Sequence, residues 1–495
     1  MAMSRDSIES NPNQKHSASV VIVGGGLSGV SAALKLLWRA AFPLRIFLID
    51  PHEEPGRGVA YSTRDFEHRL NAPARRHIIR PGEPDHFPRW LSNNAAKEGW
   101  SGPEDGNFVE AFSPRWLFGS YIQSELKAAV RGAHSNVMFK HIRQTAVDIK
   151  KNGDGLAVGL ADGQWLNADH VILANGVFKS SGGIEVAAAL ADDSRYLSNP
   201  WKEGIFESLS NARDVTIIGS HLTMIDCVAS LERRGYRGNY TVVSRLGLMP
   251  NPAYTGEPWR DFLADRQPPT TALSLLKLLR TEITAATAAG FNWQAVAASV
   301  RPHIGVLWRS ASPAEKRRFL RHLHSRTLGH SAPPSAIAVV ERAAREGRFT
   351  SIAGRVARID ILGERLGVHL RPRRAASAIC HQTDRVIRCI GLEYDWSRID
   401  DGLVRNLLRR GLVRPGPLNS GIDADENGAI IAADGTLSRS FSAIGHPLNG
   451  SAFYESSASS ALREQSTVLA DRLLPLLEAA HLTTPNHMEA THGDR

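Results

Sequence analysis

The feature that most constrains the fold is a glycine-rich turn near the start of the 495-residue chain. A β-branched run, Val20–Val23, leads into the sequence GGGLSG at Gly24–Gly29, and a helical pattern follows it. A second apolar run, Ile46–Ile49, ends at Asp50, which stands 21 residues after the last glycine of the turn. A strand, a GxGxxG turn, a helix, a second strand and an acid in this order predict the first half of a Rossmann dinucleotide-binding domain.

Each position of the turn has its own physical role. Gly24 permits the tight turn, Gly26 lets the backbone approach a diphosphate, and Gly29 lets the helix pack close to the strand. Leu27 and Ser28 lie within the turn, and the helix that follows from Val30 offers free N–H groups and a positive dipole end to the phosphates. These five residues are candidate dinucleotide ligands, and the alternative is a glycine-rich turn between two core elements.

Asp50 narrows the choice of dinucleotide. A carboxylate at the end of the second strand can accept hydrogen bonds from both hydroxyls of an adenosine ribose, and it repels a 2′-phosphate. The first unit therefore favours FAD or NAD over NADP, and by itself it does not decide between those two.

A second, degraded copy of the unit begins 195 residues further along the chain. A strand pattern, Asp214–Ile218, leads into Gly219, and the next strand pattern, Tyr240–Val243, ends at Ser244 and Arg245. From the turn glycine to the charged residue after the second strand is 26 positions in both copies. Because an arginine pairs with a 2′-phosphate where an acid repels one, the spacing predicts NADPH at the second site, with NADH still possible.

Two residues of the second turn conflict with this prediction. His221 stands at the second glycine position and Met224 at the third. A histidine there places a side chain where the diphosphate approaches, so the nucleotide either lies further out or binds weakly. The alternative is a Rossmann half kept only as scaffold, with Arg245 as a surface residue.

Further motifs give the chain a resemblance to a known family. The motifs are GRGVAYS at 56–62, LNAP at 70–73, FPRWL at 87–91, GSHLT at 219–223, SRLG at 244–247 and IGHPLNG at 444–450. Together they resemble the bacterial FAD/NAD(P)-binding protein family, which is related to the flavin-containing and N-hydroxylating monooxygenases. The resemblance implies FAD on the first unit, NAD(P)H on the second, and a C-terminal stretch that returns to complete the FAD domain.

Three more candidate FAD ligands come with this resemblance. Asn71 lies between apolar residues of the LNAP motif, and its amide could bond the N5 or O4 edge of a flavin. Asn175 occupies the middle of an ATG motif that here reads Ala-Asn-Gly, and its backbone role is expected to survive. Gly445 belongs to a Gly-Asp pair of the wider flavoprotein class, but here the acid is replaced by His446.

The expected fold class is α/β, with two Rossmann-like dinucleotide-binding domains and a helical insertion, as in two-dinucleotide flavoproteins. Helical patterns without strands between them place the insertion at about 268–346. One strand is expected over Trp165–Leu173, after a hairpin signal. The expected division is a tail over 1–18, an FAD domain over 19–200, an NAD(P) domain over 212–385, a return to the FAD domain over 386–478 and a tail over 479–495.

Composition limits the compartment and the partners. Three cysteines without a CxxC motif exclude a disulfide framework and fit a reducing, cytoplasmic location. The net charge of +9 is spread along the chain, so we expect no nucleic-acid partner, and we expect no membrane association. No metal site is expected, since no set of ligands is complete. The oligomeric state is not readable from the sequence.

The function that these features favour is FAD-dependent oxidation of a small molecule with NAD(P)H as the reductant, by a flavoprotein monooxygenase. The flavin would carry the chemistry, so no catalytic acid or base is assigned. Two alternatives stay open: an NAD(P)H-dependent flavin electron carrier without oxygen insertion, and a non-catalytic flavin-binding module.

Overall fold

The computed structural model describes residues 17–483 except 203, 210, 324–330, 376, 452, 453, 455 and 457. The strands are β1 (Ala18–Val23), β2 (Leu44–Ile49), β3 (Val137–Ile142), β4 (Ala146–Asn152), β5 (Gly155–Leu160), β6 (Trp165–Ala168), β7 (His170–Leu173), β8 (Phe178–Lys179), β9 (Glu185–Val186), β10 (Tyr196–Leu197), β11 (Asp214–Ile218), β12 (Asn239–Ser244), β13 (Asn251–Pro252), β14 (Ser331–Ala332), β15 (Phe349–Leu362), β16 (Arg365–Pro372), β17 (Ile379–Thr383), β18 (Arg385–Arg388), β19 (Leu392–Glu393), β20 (Ala429–Ile431) and β21 (Leu437–Ala443). The helices are α1 (Leu27–Arg39), α2 (Gly58–Tyr61), α3 (His86–Asn94), α4 (Arg115–Gly132), α5 (Leu222–Arg233), α6 (Ala272–Ala288), α7 (Trp293–Val300), α8 (Ile304–Ser310), α9 (Pro313–Phe319), α10 (Pro334–Arg345), α11 (Gly402–Arg409) and α12 (Ser459–Thr483). Within these described ranges, no helix is both long enough and apolar enough to cross a membrane.

The first sheet forms around the glycine-rich unit that the sequence predicts. Its strand order is β20–β21–β7–β1–β2–β3, and only the β20–β21 pair is antiparallel. Helices α1, α4 and α12 cover one face, while the β4–β5–β6 sheet and α11 cover the other. This double cover explains why every residue of β1 is buried. The carboxyl ends of β1, β2 and β7 therefore meet at the glycine turn, where this fold binds dinucleotides.

The second sheet has the order β10–β18–β11–β12–β15–β16–β17. Its parallel part repeats the Rossmann pattern, with α5 and α10 packed on one face. The long strand β15 joins this part to an antiparallel hairpin, because Phe349–Ala353 pair with β12 and the residues from Gly354 onward pair with β16. The two sheets confirm the predicted fold class.

The helical insertion between β12 and β15 has a core of its own and packs against the C-terminal return segment. Trp308 donates its indole N–H to the backbone oxygen of Ser451 at 3.1 Å, and its ring lies 5.3 Å from that of Tyr454. Arg317 donates to the backbone oxygen of Pro417 at 3.0 Å. The insertion therefore belongs to the second half in sequence but contacts the first half in space.

Two of the predicted domain boundaries differ from the points at which the chain passes between the two sheets. Strands β10 and β18 pair with each other in the second sheet, although the predicted divisions at 200 and 386 assign most of their residues to the FAD domain. The chain passes between the two halves at β8 and again at β19, which pair with each other as a two-stranded link. The crossing points therefore lie near residues 176 and 391, where the central strands of the two sheets end.

Three smaller predictions also change. The single strand predicted over Trp165–Leu173 is two strands, since β6 pairs with β5 and β7 pairs with β1 and β21. Helix α10 was predicted within the insertion, but its apolar face packs with α5 on the second sheet. The predicted tails lie mostly outside the described residues, although β1 already begins at Ala18 and α12 continues through Thr483.

A buried histidine predicts acid sensitivity of the first sheet. The ring of His170 on β7 is 3.0 Å from the Ser442 hydroxyl on β21, and burial, with Arg472 nearby, lowers its pKa to about 3. In the unfolded chain His170 binds a proton near pH 6.5, whereas in the folded chain it stays neutral down to about pH 3. The free energy of unfolding is therefore highest above pH 6.5 and falls as the pH is lowered from 6.5 toward 3. We expect His170 to contribute a slope of up to about 1.4 kcal/mol per pH unit there.

Chemical denaturation between pH 7.5 and 4.5 measures this slope. His170→Gln should lower the slope, whereas His134→Gln, at an exposed position of the same half, should leave it unchanged. An identical pH dependence in His170→Gln and the native protein would contradict the assignment.

Candidate dinucleotide-binding sites

The first glycine turn is held against the neighbouring strand by backbone contacts that exclude side chains. Gly24 has a φ of 108°, and a Cβ there would lie 2.2 Å from the backbone oxygen of Ala174. A Cβ at Gly29 would lie 1.8 Å from the backbone oxygen of Gly24. Both positions therefore require glycine, and they bring the first turn of α1 directly over the end of β1.

The N-terminus of α1 is free to receive an anion. Gly26 is the N-cap residue in an extended conformation, with no side-chain cap and no acidic residue in the described first turn of the helix. The N–H groups of Leu27 and Ser28 thus face the turn without a competing carboxylate, as phosphate binding requires. The structure therefore brings all five predicted residues of the turn together.

Asp50 lies beside this turn at the end of β2. Its carboxylate accepts hydrogen bonds from the Gly25 N–H at 2.7 Å and from the His52 N–H at 2.9 Å. It borders a cavity of about 400 Å³, a size that suits a nucleotide, which is also lined by Arg57 and Gln123. The buried amide nitrogen of Gln123 has no hydrogen-bond partner among the described residues, so this side chain is a further candidate ligand.

Of the three residues that the resemblance assigns to FAD, the structure places Asn175 and Gly445 against the first glycine turn. Asn175 follows the Ala174 carbonyl that contacts Gly24, and both polar atoms of its amide are buried without a described partner. Gly445 closes onto α1, since a Cβ there would lie 2.2 Å from the Ser28 hydroxyl. Asn71 is the third, and its Oδ1 accepts a hydrogen bond from Arg115 at 3.3 Å.

His446 replaces the acid of the wider flavoprotein class with a neutral group. Burial lowers its pKa to about 4, and its Nδ1 is buried without a described hydrogen-bond partner. The imidazole is therefore uncharged near neutral pH and adds no negative charge to the site. An unpaired polar atom of this kind is costly unless a ligand satisfies it.

Together these observations fit a bound dinucleotide. The glycine turn lacks the Cβ atoms that would block a diphosphate, and α1 presents free N–H groups. Buried polar atoms of Gln123, Asn175 and His446 without described partners add possible hydrogen bonds at the two ends. The residues present are thus suited to FAD, which has a ribose at one end and a polar flavin edge at the other.

The second glycine turn repeats the backbone geometry of the first. Gly219 has a φ of 106°, and a Cβ there would lie 2.1 Å from the backbone oxygen of Cys389. Its N–H donates to the Val243 oxygen at 2.8 Å, as the Gly24 N–H donates to the Ile49 oxygen at 2.9 Å. The two copies inferred from sequence spacing therefore share one turn structure.

His221 and Met224 depart from the first turn in different ways. His221 is the N-cap of α5, and its φ of −93° and ψ of −161° are open to any residue. Its side chain is exposed at the start of the helix. Met224 is fully buried, and because a Cβ at the equivalent Gly29 would strike the turn, α5 has to lie further from its turn than α1 does.

Ser244 and Arg245 lie at the end of β12, as the spacing predicts. The Ser244 hydroxyl accepts from the Ser220 hydroxyl at 2.9 Å and from the Gly247 N–H at 3.0 Å, so it stabilises the loop. Arg245 is exposed and, within the part of the chain that the structure describes, has neither an ion pair nor a side-chain hydrogen bond. Its guanidinium is thus available to an anion.

Sequence reasoning missed two residues that the structure brings to these sites, Arg115 and Gln123. Both lie on α4, about 65 to 75 residues after the Asp50 strand, and neither belongs to a local motif. Arg57, inside the GRGVAYS motif, is anchored on the same helix by hydrogen bonds to the Trp116 oxygen and the Ser120 hydroxyl. The contribution of Arg115 and Gln123 becomes visible through the packing of α4 against α1, which is not readable from the sequence.

Comparison with known proteins bears on the fold and on the first part of the chain. Residues 21–178 match the model of a family described as FAD-NAD(P)-binding. Comparison with curated proteins gave no significant sequence match. The reduced ornithine hydroxylase of Pseudomonas aeruginosa is 15% identical, with a TM-score of 0.62 over 94% of this chain and 100% of that one.

Two further solved structures are similar to the same extent. The cadaverine monooxygenase of desferrioxamine biosynthesis from Erwinia amylovora, bound to FAD, is 13% identical, with a TM-score of 0.62 over 96% of this chain and 97% of that one. The L-lysine 6-monooxygenase of Pseudomonas syringae is 14% identical, with a TM-score of 0.59 over 94% and 100% of the two chains. The chain therefore has the fold of the two-dinucleotide flavoproteins. Its first part matches the FAD-NAD(P)-binding family, which confirms the resemblance seen in the motifs.

Gly26 allows a direct test of the first site. A Cβ there would lie 3.5 Å from the Gly58 Cα, an ordinary contact, and the backbone conformation suits alanine. Gly26→Ala should therefore fold with an unfolding free energy within about 0.5 kcal/mol of the native value. The methyl group stands where a diphosphate approaches, so we expect FAD affinity to fall at least tenfold, which is about 1.4 kcal/mol.

Fluorescence titration of the apoprotein with FAD measures this loss. Gly132→Ala, at the end of α4 where a Cβ meets nothing within 4 Å, is the matched control and should bind FAD like the native protein. Unchanged FAD affinity in Gly26→Ala would exclude this turn as the diphosphate site.

Proposed function

We propose that this protein is an FAD-dependent oxidoreductase that uses NADPH and molecular oxygen to oxidise a small molecule. The observation that carries the proposal is the pair of glycine turns with one backbone geometry, each at the carboxyl end of a parallel sheet. One turn adjoins an acid, Asp50, and the other an exposed arginine, Arg245. This contrast supports two different dinucleotides, one without and one with a 2′-phosphate.

The first site is proposed to hold FAD. Gly24, Gly26 and Gly29, with the N–H groups of Leu27 and Ser28, would receive the diphosphate. Asp50 would accept the ribose hydroxyls. Asn71, Asn175 and Gly445 would contact the flavin half. The FAD domain would comprise the residues before the first crossing near 176 and those after the second crossing near 391.

The second site is proposed to hold NADPH. Gly219 and the N-terminus of α5 would receive its diphosphate, Ser244 would shape the loop, and Arg245 would pair with the 2′-phosphate. His221, the N-cap of α5, would border this diphosphate from an exposed position. NADH would bind the same turn without the arginine contact.

When bound, FAD supplies the redox chemistry, by taking a hydride equivalent and delivering electrons to an acceptor. The residues of this chain bind, orient and exclude water. The half-buried Asn71 and Asn175 side chains would offer amide hydrogen bonds to the polar flavin edge. The neutral His446 keeps a negative charge away from it.

Oxygen as the acceptor is supported by the solved neighbours. Ornithine hydroxylase, cadaverine monooxygenase and L-lysine 6-monooxygenase share the fold over more than nine tenths of both chains. These names point to small, nitrogen-bearing substrates, and a substrate of that class is proposed here. The three cysteines are free, which supports a location in the cytoplasm.

The decisive experiment uses the visible spectrum of the purified, FAD-reconstituted protein. We expect flavin absorbance at about one FAD per chain and its bleaching by NADPH without oxygen. In air, oxygen consumption in excess of peroxide release, in the presence of an amine substrate, would support oxygen insertion. A protein that retains no flavin would overturn the proposal, and a flavin that neither NADPH nor NADH bleaches would favour the non-catalytic module.

Arg245→Ala tests the identity of the reductant. Charge-assisted hydrogen bonds contribute roughly 1.5–3 kcal/mol, so the preference for NADPH over NADH should fall by about tenfold or more. FAD affinity should not change, because Arg245 lies in the other half. Stopped-flow reduction with each nucleotide measures the preference.

The matched control is Arg131→Ala, an exposed arginine on α4, which should keep the native preference. A preference for NADPH that persists in Arg245→Ala would show that the spacing argument assigned the wrong residue.

A further inference from the structure

Arg115 is a buried side chain that touches both halves of the protein. It is the first residue of α4, and its guanidinium donates to the Arg69 backbone oxygen at 2.8 Å and to Asn71 Oδ1 at 3.3 Å. The Nη2 atom that reaches Asn71 also lies 2.8 Å from the Asp226 carboxylate on α5. One nitrogen therefore bridges a proposed flavin contact and the helix of the second nucleotide site.

The partner of Arg115 lies just below the second glycine turn. Asp226 is the fifth residue of α5, so it sits one turn from the helix end that faces the NADPH site. The side chains of Asp226 and Arg115 are only 5% and 7% exposed. The Trp201 ring covers the pair, with the guanidinium 5.0 Å from its centre.

Two other ion pairs join α5 to the same segment of the first half. Arg233 contacts Glu67 at 2.9 Å, and Arg234 contacts Asp65 at 2.7 Å. Both arginines are more than a third exposed, and their ion pairs in the described part of the chain are with Glu67 and Asp65, not with Asn71. Asp226 and Arg233 of α5, with the adjacent Arg234, are thus fixed to the first half, and among these described contacts it is Arg115 that also reaches Asn71.

We propose that Arg115 is a positioning residue that sets the second nucleotide helix relative to the flavin edge. The inference rests on the proposed function, since it concerns where the nicotinamide arrives. The planar guanidinium has a fixed fork of donors, so a shift of Asp226 on α5 is passed to Asn71 as a rotation of the same rigid group. Hydride transfer depends steeply on such placement.

A positioning role can be distinguished from a purely structural one, because Arg115 and Asp226 can be replaced together. The double replacement leaves no unpaired charge buried between the two helices. Removing one partner strands the other charge and destabilises the fold, whereas replacing both with apolar residues of similar size is often neutral or stabilising. The double variant Arg115→Met with Asp226→Leu should therefore remain folded. It breaks the link while keeping the interface packed.

The double variant is compared with the native holoprotein in three measurements. We expect FAD and NADPH affinities within about threefold, and anaerobic flavin reduction at saturating NADPH at least tenfold slower, because placement is lost and not binding. The visible circular dichroism of bound FAD should change, since Asn71 loses its anchor. The third measurement needs no NADPH.

The control removes a neighbouring pair that does not reach Asn71. Asp65→Asn with Arg234→Gln should leave both the reduction rate and the visible circular dichroism at native values. A double variant at 115 and 226 with native dichroism and native reduction rate would overturn the inference. If the native flavin is not reduced by NADPH, the proposed function fails, and the dichroism still decides whether Arg115 and Asp226 hold Asn71.

Discussion

Both halves of the molecule depend on one close contact between a glycine and a strand carbonyl. A Cβ at Gly24 would lie 2.2 Å from the Ala174 oxygen, and a Cβ at Gly219 would lie 2.1 Å from the Cys389 oxygen, so neither turn admits a side chain. The contact holds the turn across the end of its sheet, so the helix that follows points its free N–H groups along the strand ends. The positions of Asp50 and Arg245 follow from this arrangement, because each ends the strand next to its turn.

The two turns then differ in how closely the helix follows. Gly29 lets α1 approach to a distance that would exclude any side chain, whereas the buried Met224 keeps α5 further away. A tight turn suits a group that stays bound, and a looser one suits a nucleotide that must leave after each reaction. The departure at Met224 is thus compatible with the proposed division of roles.

The sequence predicts this architecture well where the chemistry is local. The βαβ spacing, the glycine positions and the charged residue after each second strand can all be read from adjacent segments. The strand predicted over Trp165–Leu173 failed, because its hydrophobic pattern is continuous although the chain changes sheets at Asp169. The Arg115–Asp226 pair joins residues 111 positions apart on two helices, so no spacing rule could have predicted it.

The helical insertion of the second half also contacts the first half of the molecule. Its helices arise from the second sheet, yet Trp308 and Arg317 bond to backbone oxygens of the segment that completes the first sheet. A large hinge motion of one half against the other would have to break these bonds and uncover the ring of Tyr454. The insertion therefore opposes any separation of the two halves at the segment that completes the first sheet.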